Sequence, residues 1–164
     1  MNGTGQHVDR GKSEPRTRRA GMYRKVVVGI DSVDHAPGLV AGAKSNLAEG
    51  GKVVLVHMLP GEEAARSDAL RSMLETTALE WMQGLAREAR LPLDAVEPVV
   101  SFDGGLAGTV AKVARKRAAD AIAVYGDERK GIGKLFSKDI PGDVRKHTSL
   151  PVLAVNGAAR SKAA

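Results

Sequence analysis

The chain has 164 residues, 43% of them hydrophobic and only 3% aromatic, and a formal net charge of +6. That length supports one domain with a substantial core and is short for two. The absence of cysteine excludes a disulfide framework, a thiolate metal site and thiol catalysis. No apolar run approaches the roughly 18 residues of a membrane-spanning helix, and the N-terminus lacks the apolar stretch of a secretory signal, so a cytoplasmic protein without a membrane partner is expected.

The charge is unevenly placed. Residues 1–22 carry five basic and two acidic side chains, a net +3, and Arg160 with Lys162 add two more, which leaves +1 for residues 23–157. The basic isoelectric point therefore does not imply a folded basic face, and few aromatics are present to stack bases. Nucleic acid is not an expected partner of the folded part. Residues 1–22, rich in Gly, Ser, Pro and charge, read as a disordered basic tail, residues 158–164 as a second tail, and residues 23–157 as the domain between them.

Lys25 to Ile30 (KVVVGI) is a continuous β-branched run, the pattern of a strand buried on both faces. Asp31, Ser32 and Asp34 are possible caps for a helix marked by Pro37, Leu39, Val40, Ala43 and Leu47 and closed by Gly50 and Gly51. Lys52 to Met58 is a second buried strand, ended by Pro60 and Gly61. Between Ala64 and Arg90, apolar residues at Leu70, Met73, Leu74, Thr77, Trp81, Met82 and Leu85 recur at helical spacing, a long amphipathic helix whose stripe is read as core. Ala95 to Phe102 is a third strand, in which Pro98 is tolerable only near an edge or a bulge. A helix from about Leu106 to Ala118 follows, with Lys112, Arg115, Lys116 and Arg117 at its solvated, dipole-complementing end. Ala121 to Tyr125 and Val152 to Val155 are the fourth and fifth strands. Alternating strands and helices with short connections call for an open parallel sheet with helices on both faces. In such a sheet, ligands sit outside the carboxyl ends of the strands where the strand order reverses, and the loop after Tyr125 is a candidate for that position.

KVVVGIDSVDHA at the first strand, VVLVHML at the second, DAIAVYG at the fourth and the HTSLPVLAV ending resemble the universal stress protein family, in order and over residues 23–156. The resemblance implies an α/β fold of five parallel strands in the order 3-2-1-4-5, and a homodimer joined through the fifth strands, here Pro151 to Val155. Pairing a short apolar edge strand with its own copy also removes an exposed edge. By resemblance, Gly29, Asp31, Met58, Tyr125 and Gly126 line the adenine and ribose half of an ATP pocket. The family's Gly-x2-Gly-x9-Gly-Ser/Thr pattern is broken after Gly126: Arg129 replaces the second glycine, the loop is one residue shorter, and Lys138 and Asp139 stand in place of Gly-Ser.

That substitution has a physical consequence. Glycines let backbone approach phosphates, and free N–H groups at a helix start receive them. Asp139 is placed to cap the last helix itself, and Pro141 has no N–H to donate. Against this, Arg129, Lys130, Lys134 and Lys138 are cations that can hold phosphate through side chains.

Other chemistry is sparse. GIGK at 131–134 lacks the spacing and the Ser/Thr of a P-loop, and Gly29-Ile30-Asp31 is no dinucleotide fingerprint. Asp31 could touch a ribose hydroxyl or a metal, or cap the first helix. His57 reads as a satisfied core histidine, and His147 as a dipole-complementing residue in the last turn of the final helix. No nucleophile-and-base set and no metal spacing stands out, so no enzyme is expected. The leading expectation is a stress-response binding or regulatory module, without ordinary ATP binding and with room for a protein partner. The alternative is an adenine-nucleotide switch that uses Arg129, Lys130 and Lys138 for phosphate. A third reading, nucleic-acid association through the basic tails, would show steep salt dependence.

Overall fold

The computed structural model describes residue 21 and residues 23–126 and 138–156. Five parallel strands, β1 (Tyr23–Ile30), β2 (Leu47–Met58), β3 (Val96–Ser101), β4 (Ala121–Tyr125) and β5 (Val152–Val155), form one sheet in the order β3-β2-β1-β4-β5. This is the expected architecture. The β-branched runs occupy the middle of the sheet because they are buried on both sides: Val26, Val27, Val28, Val53, Val54, Leu55, Val56, Ile122 and Val124 are all excluded from solvent.

The alternation of strand side chains builds two cores. Val26, Val28, Ile30, Val53 and Leu55 pack under α1 (Ala36–Ser45) and the long helix α3 (Asp68–Glu88), which follows the short α2 (Gly61–Ala64). Val27, Val54, Val56, Ile122 and Val124 pack under α4 (Leu106–Lys116) and α5 (Ile140–Arg145). Pro98 lies in β3, which is an edge strand, where a missing ladder donor is tolerated.

Three local expectations are corrected. Gly50 and Gly51 do not close the first helix. It ends at Ser45, Asn46 donates its side-chain amide to Gly42 O at 2.8 Å, and Leu47–Gly51 already belong to β2. Tertiary pairing takes over there: Tyr23 lies opposite Leu47, the register shifts between Tyr23 and Lys25, and Gly50 supplies a positive φ of 71°.

The long helix expected between Ala64 and Arg90 starts later, at Asp68, because the short α2 ends at Ala64. Ser67, in an extended conformation, accepts a hydrogen bond from Leu70 N at 3.0 Å and so starts α3 afresh. Its first half is more exposed than its second. Met73 is accordingly 57% exposed, and the buried positions are Ala78, Met82, Leu85 and Ala86 in the second half.

The residues after β1 do not cap α1 as expected. His35 occupies the N-cap position and makes no side-chain capping bond, while Ser32 Oγ accepts from His35 N at 3.3 Å. Arg117, at the solvated end of α4, grips Glu97 of β3 through Nε at 2.8 and 3.0 Å and Nη2 at 2.7 Å, and this carboxylate raises its pKa. No helix among the described residues is long and apolar enough to cross a membrane. The two tails fall outside the described residues, apart from Gly21.

Candidate functional site

Strand order reverses between β1 and β4: the chain leaves β1 toward β2 and later returns to place β4 on its other side. The carboxyl ends of β1, β2 and β4 are therefore neighbours, and a crevice at that end is where an open parallel sheet holds ligands. Asp31 follows β1 directly, Met58 ends β2, Tyr125 ends β4, and Gly126 comes next. Four of the five nucleoside-half positions thus lie at that end of the sheet. Gly29, the fifth, is one residue deeper and buried, and a Cβ there would come within 2.7 Å of Val110 and 3.1 Å of Val124, so its bare Cα serves the close approach of α4.

At the β4 end, Gly126 donates its N–H to Val155 O at 3.1 Å. A Cβ at this position would lie 2.5 Å from Pro141 Cγ and 3.0 Å from Ala154 Cβ. The missing side chain is what lets the start of α5 sit on the end of β4. Asp139 caps α5 as the sequence indicates, its Oδ1 accepting from Gly142 N at 3.0 Å, and Pro141 is buried behind it. The helix start is therefore already occupied by a carboxylate and a residue without N–H. Lys138 is exposed beside it. Arg129, Lys130 and Lys134 lie outside the described residues.

The structure adds a residue that the sequence reading passed over. The His35 ring stacks on Tyr125 with centroids 3.5 Å apart and planes 6° from parallel, and its Nδ1 donates to Asp31 Oδ2 at 2.7 Å. The only local signal for this was the four-residue spacing of Asp31 and His35 at a helix start.

His57, expected to be a satisfied core residue, is not one. It is half-buried beside Trp81, ring centroids 4.9 Å apart, and among the described residues its buried Nδ1 has no hydrogen-bond partner. Burial lowers its pKa, because the charged imidazolium loses its water there. His147 lies just beyond α5, its N–H bonded to Val144 O at 2.9 Å. Among the described residues no three His, Asp or Glu side chains group as a metal site.

Five parallel strands in the order β3-β2-β1-β4-β5 with helices on both faces define the class of open, doubly wound α/β domains. Within it, this chain belongs to the universal stress protein family, whose model matches residues 22–156. Solved structures with the same fold include a universal stress protein in complex with cAMP, at 22% identity and TM-score 0.56, covering 85% of this chain and 99% of that one. A universal stress protein from Archaeoglobus fulgidus in complex with dAMP is similar at 20% identity and TM-score 0.54, over 80% of this chain and 96% of that one. A family protein from Burkholderia pseudomallei matches at 17% identity and TM-score 0.53, over 84% and 98%. A search of curated proteins finds no match.

Proposed function

We propose that this chain is a non-enzymatic stress-response binding and regulatory module of its family. It comprises one domain over residues 23–157, joined to its own copy through Pro151 to Val155, and lacks ordinary ATP binding. One observation carries the reading: the Asp139 carboxylate accepts the Gly142 N–H that a phosphate would need, at 3.0 Å, with Pro141 between them. An anion arriving there meets a negative charge and one donor fewer. The role is then executed through the surface, toward a protein partner.

A second reading is favoured by the relatives crystallised with cAMP and dAMP. On it the chain is an adenine-nucleotide switch, with Gly29, Asp31, Met58, Tyr125 and Gly126 holding the nucleoside and Arg129, Lys130 and Lys138 the phosphate. Mass spectrometry of small molecules released by denaturing the purified protein, paired with thermal shifts against ATP, ADP, AMP and cyclic nucleotides, separates the two, since a ligand that binds only the folded state raises the melting point. The first reading expects an empty protein unmoved by ATP, and a gain of ATP response in Asp139→Ser, which keeps a cap but removes the charge. A co-purified adenine nucleotide with a matching shift would put the switch reading first.

A further inference from the structure

The contact between His35 and Tyr125 assigns a role to a residue outside both readings of the phosphate loop. A nucleoside at Asp31 and Tyr125 would offer two features: a flat heteroaromatic ring to the phenol face, and a hydrogen-bond donor to the carboxylate. His35 already offers both. Its imidazole lies 3.5 Å from Tyr125 and 6° from parallel, and its Nδ1–H reaches Asp31 Oδ2 at 2.7 Å. A ring face covered at stacking distance has no room for a second ring, and a carboxylate oxygen engaged at that length is a poorer acceptor for anything else.

We infer that His35 is an internal occupant of the nucleoside half of the site, which a ligand must displace, and that this contact sets the affinity of the site for adenine nucleosides. The inference rests on the placement of the nucleoside at Asp31 and Tyr125. Its energetic logic is a population argument: the observed affinity falls in proportion to the fraction of molecules in which the face is open. Displacement does not require α1 to unravel, because His35 makes no side-chain capping bond, and the turn is held independently by Ser32 Oγ on His35 N.

The test uses the full chain, with adenosine and AMP as probes because neither needs a triphosphate site. Calorimetry compares wild type with His35→Ala and His35→Ser, the serine restoring an N-cap hydroxyl should alanine loosen the helix start. Proton NMR follows the His35 ring, which the Tyr125 ring current shifts upfield while the two are stacked and which Tyr125→Leu releases. The expected result is an upfield-shifted His35 in the free protein, loss of that shift on saturation with adenosine, and about tenfold tighter binding by both variants, the gain of freeing one stack and one hydrogen bond. Saturation that leaves the shift unchanged, or variants that bind no more tightly than wild type, would overturn the inference while leaving the nucleoside site in place. If wild type and variants alike bind neither probe, the nucleoside placement fails and the inference falls with it.

Discussion

Asp120 Oδ2 accepts two backbone hydrogen bonds across the sheet, from Arg24 N at 2.7 Å and Lys25 N at 3.1 Å. Asp120 N returns a bond to Lys25 O at 2.9 Å, and Lys25 Nζ donates to Arg117 O at the end of α4, also at 2.9 Å. One carboxylate thus joins the beginnings of β1 and β4, residues 95 and 96 apart in the chain. Asp120→Ala should cost about 1–3 kcal/mol in urea unfolding, because it strips an acceptor from two N–H groups. Asp120→Asn, which keeps a side-chain oxygen, should recover a substantial part of that. Equal stability of the alanine variant and wild type would mean that water replaces the carboxylate without loss.

Gly126 is held by packing. A Cβ would meet the Pro141 ring at 2.5 Å and Ala154 at 3.0 Å, and neither a proline ring nor a strand methyl can swing away. Gly126→Ala should therefore lower stability by about 1–3 kcal/mol in the absence of any nucleotide. Denaturant melts of the ligand-free protein decide it, and an unchanged midpoint would show that α5 backs away freely.

His57 gives stability a pH dependence of known sign. Its folded pKa lies below the ordinary imidazole value of 6.5, so on acidification the unfolded chain binds a proton before the folded one does. The folded state is favoured fully above about pH 6.5, and that contribution is lost progressively as pH falls toward the lowered folded value. Replacing the ring by His57→Leu also removes a buried nitrogen that has no partner among the described residues. Melting temperatures between pH 7.5 and 5 should fall less steeply for this variant than for wild type. Parallel curves would assign the acid sensitivity to other groups.

At the sheet edge, Pro151 O and Val155 O both accept from β4, at 3.0 and 3.1 Å. By the two-residue alternation of a strand, the backbone groups of Val152 and Ala154 face outward, ready to pair with a second copy. Half-buried Leu153 lies within this edge. Leu153→Lys, whose stem still covers apolar surface, should leave the fold intact and shift sedimentation from dimer to monomer. A wild-type chain that sediments as a monomer would reject the β5 interface outright.

Much of this molecule was legible in local patterns. KVVVGI and AIAVY read as doubly buried strands because continuous apolar runs suit a sheet covered on both faces, and residues 26–30 and 121–124 are buried. Asp139 three residues before Gly142 is a capping distance that needs no tertiary information, and the bond forms at 3.0 Å. Pro98 was tolerable only near an edge or a bulge, and β3 is an edge strand. The start of α3 at Ser67 was equally local, a serine before an acidic first turn, although the sequence reading placed the helix start near Ala64.

What residues within a few positions of one another decide, the sequence determined by itself: strand cores, the Asp139 cap, and the parallel sense that short connections enforce, while the strand order came with the family resemblance. Tertiary structure alone decided which groups of distant segments share space. His35 meets Tyr125 only because β1 and β4 pair, with Gly29 opposite Val124, and bring residues 90 apart to 3.5 Å. The same pairing of remote elements extends β2 back to Leu47 and turns Gly126 from a loop glycine into the seat of Pro141. Such contacts depend on strand register and on how closely helices approach the sheet, and no run of neighbouring residues specifies either.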